Sequence, residues 1–237
     1  MKLIFLRHAE PDYTIDSLTE KGWREAEILS HRVAKWNIKD IYCSPLGRAK
    51  DTASLSLKAL GREAEICEWL QEFYFTIIDE ETAKPTIAWD FLPDYFIPNG
   101  NLHDKDEWYN TAVMRSGDIA KHYFEVTTAF DKLLEKHGYK RREDGVYEVV
   151  EHNDDILVFF CHFGITSLLT GYLTGIAPPT LWQGFFMAPT SISVIGSEER
   201  KPGQAAFRVQ VYGDASHLTE AGEPLSASGY FTDMFGG

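Results

Sequence analysis

Residues 1–13 read MKLIFLRHAEPDY, and the run Leu3, Ile4, Phe5, Leu6 decides the fold. Four consecutive apolar side chains leave no polar face for solvent, so the segment reads as a strand covered on both sides, the kind found in parallel sheets. Arg7 and His8 follow at once, at the carboxyl end of that strand. In open α/β sheets ligands bind along that edge, which makes the pair a candidate site.

Working outward, SLTEKGWREAEILSHRVAKW (17–36) reads as an amphipathic helix, with Thr19 as N-cap and Trp23, Ala26, Leu29, Val33 and Trp36 at helical spacing. A short strand at Asp40 to Cys43, a Ser-Pro turn and a second helix from about Leu46 to Leu60 come next, then a third strand at Glu65 to Trp69. DILVFFC (155–161) is a fourth, fully apolar strand, followed by a helix in GITSLLTGYLTG (164–175). This alternation predicts an α/β fold of three layers, α/β/α, around a largely parallel sheet. Residues 117–137 read as a long helix, 140–153 as a polar loop with a short hairpin, and 191–213 as two late strands around a Pro-Gly turn.

One stretch departs from this rhythm. Residues 74–116 carry Pro85, Pro93 and Pro98 among the aromatics Trp89, Phe91, Tyr95, Phe96, Trp108 and Tyr109. A connection of that length calls for short helices of its own or a functional lid, so the expectation is a single domain, 1–237, with an inserted cap region at about 74–116. Its aromatics suit either a second small core or the walls of a substrate site.

Composition narrows the classes of function. With 44% hydrophobic and 25% charged residues, the 237-residue chain is an ordinary globular one. A net charge of −13 argues against nucleic-acid and membrane-surface partners, since both need a basic face. Four apolar residues after Lys2 are too few for a signal-peptide core, and no run approaches a membrane span, so a cytoplasmic location is expected. Cys43, Cys67 and Cys161 show no CxxC spacing, so neither a disulfide framework nor a metal site is indicated, and no cofactor is expected.

Three strand ends then converge. Arg7 and His8 follow the first strand, Ser44 and Arg48 the second, and His162 the DILVFFC strand. Two imidazoles and two guanidiniums on one edge repel one another unless an anion sits among them, and paired Arg side chains match a phosphoryl group. A helix starting after His162 adds its amide dipoles toward the same place.

The ordered set LRHAE, SPLGRAKDTA, LQE (70–72) and CHFG (161–164) resembles the histidine phosphatase superfamily, with its phosphoglycerate-mutase-like fold, over most of the chain. The resemblance implies a metal-independent phosphomonoester hydrolase acting on a small phosphorylated substrate through a phosphohistidine. It implies His8 as nucleophile, and Arg7, Arg48 and His162 as holders of the phosphoryl oxygens. It implies Glu72 as the acid and base, with Glu68, Asp79, Glu80 and Glu81 as nearby alternatives. A phosphoglycerate-mutase-type phosphotransferase is the second expectation, disfavoured because residues 77–112 hold only Lys84 and Lys105 to bind a carboxylate. A noncatalytic phospholigand-binding protein is a third, opposed by the joint presence of a nucleophile and a proton donor.

The departures from the family pattern mark where this chain differs. Ala9 stands where the family has a glycine, Tyr13 or Thr14 are the residues available to replace an absent asparagine, and Phe163 narrows a position usually small. Ser44 reads as a turn and cap residue. Cys161 reads as a core thiol by strand alternation. His217 reads either as a pocket residue or as a surface histidine beyond the last strand.

Overall fold

The computed structural model describes residues 1–229, built on an eight-stranded mixed sheet. Its strands are β1 (Lys2–Arg7), β2 (Asp40–Cys43), β3 (Glu65–Ile66), β4 (Tyr139–Arg141), β5 (Tyr147–Val149), β6 (Ile156–Cys161), β7 (Ile192–Lys201) and β8 (Gln204–Asp214). They lie in the order β3-β2-β6-β1-β7-β8-β5-β4. Strands β3, β2, β6 and β1 run parallel, with Arg7 opposite Cys161 and Cys43 opposite Phe160. The other pairings, β1 with β7 and onward to β4, are antiparallel.

The expectation of a largely parallel sheet is therefore corrected to a mixed one. The cause is the two-residue Pro202-Gly203 connection, with Gly203 at φ +78°, which returns β8 directly alongside β7; parallel strands require a long crossover instead. The polar 140–153 segment does form a hairpin, but it extends the main sheet through Ala205 opposite Tyr147. The third strand is shorter than expected, because Glu68–Leu70 winds into a 3₁₀ turn.

Alternation along β1 sends side chains to two cores. Ile4 and Leu6 pack with Val158 and Phe160, and with Leu29 of helix α1 (Glu20–Val33) and Ala53 of α2 (Gly47–Leu60). Thr19 caps α1 as expected, accepting from the Gly22 amide at 3.0 Å. On the opposite face Leu3 and Phe5 join Phe159, Phe130 of α3 (Ile119–Lys136) and Leu168 of α4 (Phe163–Thr174). Phe5 stacks on Phe159 at 4.8 Å, and Cys161 is buried in this core. A covered strand with helices against both faces is what an uninterrupted apolar run requires.

Residues 74–116 hold a two-stranded ribbon (Thr76–Ile78 with Pro85–Ile87) and short helical turns at Pro93–Phe96 and Ala112–Arg115. Their aromatics do not make a separate core. Trp108 is fully buried and meets Trp182 edge-on at 5.5 Å, within the same cluster as Phe5 and Phe159. Trp182 belongs to α5 (Pro178–Gly184), and a last short helix, α6, covers Ser216–Glu220. Among the described residues no helix is long and apolar enough to cross a membrane.

Candidate active site

The parallel register sets the ends of β1, β2 and β6 side by side, and the chain leaves all three at one edge. The His8 amide donates to the Cys161 carbonyl at 2.9 Å and the Ser44 amide to that of Phe160 at 2.9 Å, so each residue after a strand is pinned to its neighbour. A cavity of about 660 Å³ opens there, and Arg7, His8, Arg48 and Glu72 all line it.

His8 is almost wholly buried, and its Nδ1 lies 2.8 Å from the Ala9 carbonyl oxygen. A carbonyl only accepts, so the ring proton sits on Nδ1 and the lone pair on Nε2. Burial, then the Arg7 guanidinium, pushes the His8 pKa well below its usual range, keeping the ring neutral. A neutral imidazole with a free Nε2 is the nucleophilic form.

His162, at the N-cap of α4, is fully buried with its ring centroid 5.1 Å from that of His8. Its Nε2 lies 2.8 Å from Ser44 Oγ, which already accepts from the Leu46 amide at 3.3 Å. A hydroxyl oxygen both donates and accepts, so this contact serves either neutral tautomer of the ring. The ring's Nδ1 is buried and has no hydrogen-bond partner among the described residues. Burial, followed by His8 and the two guanidiniums, holds the His162 pKa well below the usual value.

Arg7 donates through Nη1 to the Met187 carbonyl, and its guanidinium faces the Phe186 ring at 5.8 Å. Arg48 is aimed by Asp16: Nη1 lies 2.6 Å from Asp16 Oδ1, while Asp16 Oδ2 accepts from the Gly47 amide at 2.7 Å. Asp16 holds φ at +48°, and a Cβ on Gly47 would lie 1.9 Å from the Asp16 carbonyl oxygen, so this turn needs a glycine. Tyr13 also lines the cavity, with the Arg48 guanidinium over its ring at 5.3 Å.

Glu72 reaches the cavity from the opposite side, after the Glu68–Leu70 turn. Its carboxylate accepts from the amides of Phe73 (2.8 Å), Gly164 (3.2 Å) and Ile165 (3.0 Å), the last two in the first turn of α4. Burial nevertheless raises its pKa above the usual carboxylate value, against the pull of those amides and of Arg7. Gly164 is required by this packing, since a Cβ there would lie 2.6 Å from Glu72 Oε1.

Of the further sequence candidates, Phe163 lines the cavity. Thr14 and His217 fall outside it. Thr14 is exposed and donates from Oγ1 to Asp12 Oδ1 at 2.5 Å. His217 is buried, neither surface residue nor pocket wall; its Nε2 lies 3.2 Å from Thr190 Oγ1, and the Thr190 amide donates to the His8 carbonyl at 3.2 Å. It supports the backbone of the site from behind. Sequence reasoning missed Asp16, the role of Ser44 toward His162, and the walls Trp182 and Phe186; Trp89 was among the aromatics it offered for a substrate wall. Nothing in the local pattern of PDYTIDS singles out Asp16, whose partner is 32 residues away.

The comparisons agree with this architecture. Residues 3–98 match the family described as histidine phosphatase superfamily (branch 1). No curated protein sequence matches the chain. Among solved structures, the mycobacterial glucosyl-3-phosphoglycerate phosphatase is similar at a TM-score of 0.60 and 18% identity, covering 90% of this chain and 98% of that one. The phosphoserine phosphatase of Entamoeba histolytica, in complex with 3-phosphoglyceric acid, gives 0.58 and 19%, with 92% and 98% covered. The alpha-ribazole phosphatase of Shigella flexneri gives 0.54 and 22%, with 88% and 95% covered. At these identities the likeness is one of fold.

Proposed function

From a chain whose residues 3–98 carry the histidine phosphatase superfamily pattern, we propose a phosphomonoester hydrolase that works through a phosphohistidine on His8. The observation that carries this reading is the His8 Nδ1 contact with the Ala9 carbonyl, which leaves Nε2 unprotonated at the edge where Arg7, Arg48 and His162 meet.

His8 Nε2 attacks phosphorus as the ester P–O bond breaks in line. Arg7 and Arg48 hold the nonbridging oxygens, and His162, whose buried Nδ1 has no hydrogen-bond partner among the described residues, supplies a further contact to them. Glu72, whose pKa burial raises, gives its proton to the departing alcohol oxygen. In the second half the Glu72 carboxylate removes a proton from water, which attacks phosphorus and breaks the N–P bond, releasing phosphate and restoring both residues. The two guanidiniums and His162 provide the charge stabilisation, so the reaction proceeds without a metal ion. Residues 74–116 serve as the cap over this site, and their Trp89 lines it. A small phosphorylated molecule in the cytoplasm is the proposed substrate, in keeping with three buried, free cysteines.

The test is phosphate release from a panel of phosphomonoesters in the presence of chelator. The expected result is chelator-insensitive hydrolysis that His8→Ala abolishes on folded protein. Phosphoryl migration on 3-phosphoglycerate without release would identify a mutase instead, and no turnover on any ester would leave a binding protein.

A further inference from the structure

Beyond the phosphate end, the cavity changes character. Trp89, Phe163, Trp182, Phe185 and Tyr74 form its walls, with Trp89 edge-on to Phe163 at 5.8 Å. Both indole N–H groups are already committed to main-chain carbonyls, Trp89 to Phe73 at 2.7 Å and Trp182 to Gly164 at 2.9 Å. What these rings present to the cavity is therefore hydrocarbon surface. Tyr74 and Phe185 remain about half exposed at its rim, 50% and 49%, open to contact with a ligand.

Charge points the same way. Apart from Arg7 and Arg48, no Arg or Lys among the described residues lines the cavity, while Glu72 and Asp90 do. Residues 230–237, YFTDMFGG, contain no Lys, Arg or His. A further positioned cation is what holds a carboxylate or a second phosphate most strongly, and here such a group would meet the Asp90 carboxylate instead.

We propose that this half of the cavity is an aromatic subsite for the leaving group, so that the substrate is a phosphomonoester of a bulky apolar or aromatic alcohol carrying no second anionic group. The proposal rests on the phosphatase reading above but extends to ligand binding, which can be measured separately. It sets this chain apart from neighbours whose names refer to phosphoglycerate and phosphoserine.

The experiment measures calorimetric affinities of the non-reacting His8→Ala protein for 3-phenylpropyl phosphate and for 3-phosphoglycerate, both esters of aliphatic alcohols. The expected result is binding of the phenylpropyl ester at least about tenfold tighter. Tyr74→Ala or Phe185→Ala in the same background should narrow that ratio by about fivefold. Equal or tighter binding of 3-phosphoglycerate overturns the subsite, as does a ratio untouched by either ring deletion. If the binding preference holds but wild-type protein hydrolyses neither ester nor 4-nitrophenyl phosphate, the subsite stands and the phosphatase reading falls.

Discussion

His8 and His162 are two imidazoles at 5.1 Å that do different work because their hydrogen bonds differ. The Ala9 carbonyl fixes the His8 proton on Nδ1 and frees Nε2, whereas Ser44 occupies His162 Nε2 and leaves its buried Nδ1 without a hydrogen-bond partner among the described residues. In the proposed mechanism the free Nε2 of His8 is the nucleophile and His162 holds a phosphoryl oxygen. Arg48 shows the same dependence on a partner, since Asp16 fixes its direction while its Nε is buried with no partner among the described residues. Arg48→Ala should weaken inhibition by inorganic phosphate or vanadate and lower kcat/KM by about a hundred- to a thousandfold, because a positioned cation acts in ground and transition states alike. Unchanged vanadate affinity would place Arg48 outside the phosphate site. At this scale Arg7, His8, Arg48 and His162 were legible in the sequence because each follows a strand or opens the helix after it. The place of Ser44 at a strand end was legible too, but its contact with His162 was not, nor was Asp16, because what distinguishes them is a partner 118 and 32 residues away.

Among the elements, the first turn of α4 couples the two sides of the site. Its amides at Gly164 and Ile165 hold Glu72, its N-cap is His162, and Phe163 faces the cavity. The CHFG stretch was readable as a strand end followed by a helix; that its glycine answers to Glu72 is visible only once the 70–73 turn is placed against it. Gly164→Ala should displace the carboxylate, since its methyl would overlap Glu72 Oε1 at 2.6 Å, and cut kcat by roughly ten- to a hundredfold with the fold retained. Circular dichroism together with steady-state rates checks this, and a variant with full activity would remove Glu72 from the acid-base role. Hydrophobic periodicity identified β1, β2 and β6 but not the partner on the far side of β1. Antiparallel addition of the β7–β8 hairpin depends on the Pro202-Gly203 turn and on edge pairing, which one strand's pattern does not encode.

For the whole molecule, burying three histidines in neutral form makes folding pH-dependent. His8 and His162 sit well below the usual histidine range, and burial takes His217 down to about 4. The unfolded chain binds protons on these rings below pH about 6.5 while the folded one does not, so stability falls as pH drops through that value. His217→Gln, which keeps a donor for Thr190, should lose about 2 kcal/mol less than wild type between pH 7 and 5 in urea unfolding. Equal losses would mean that His217 titrates normally. Glu25 slopes oppositely: buried and raised to about 7, it contributes most on the acid side and loses that contribution as pH rises from about 4.5 to 7. The overall α/β plan was legible because its strands are continuous apolar runs separated by amphipathic helices. The course of residues 74–116 was not, because short turns and prolines carry no period, and their aromatics find their place only against Trp182 and α3.

Transfer of phosphorus to His8 Nε2 is the step on which the proposed mechanism turns. The most direct measurement is rapid mixing of wild-type protein with a phosphomonoester, an alkaline quench that preserves phosphohistidine, and peptide mass spectrometry. The expected result is a phosphoryl group on the peptide carrying His8, formed as fast as turnover requires and absent from His8→Ala. Hydrolysis persisting in His8→Ala, or a phosphoryl group found on another residue, would contradict it.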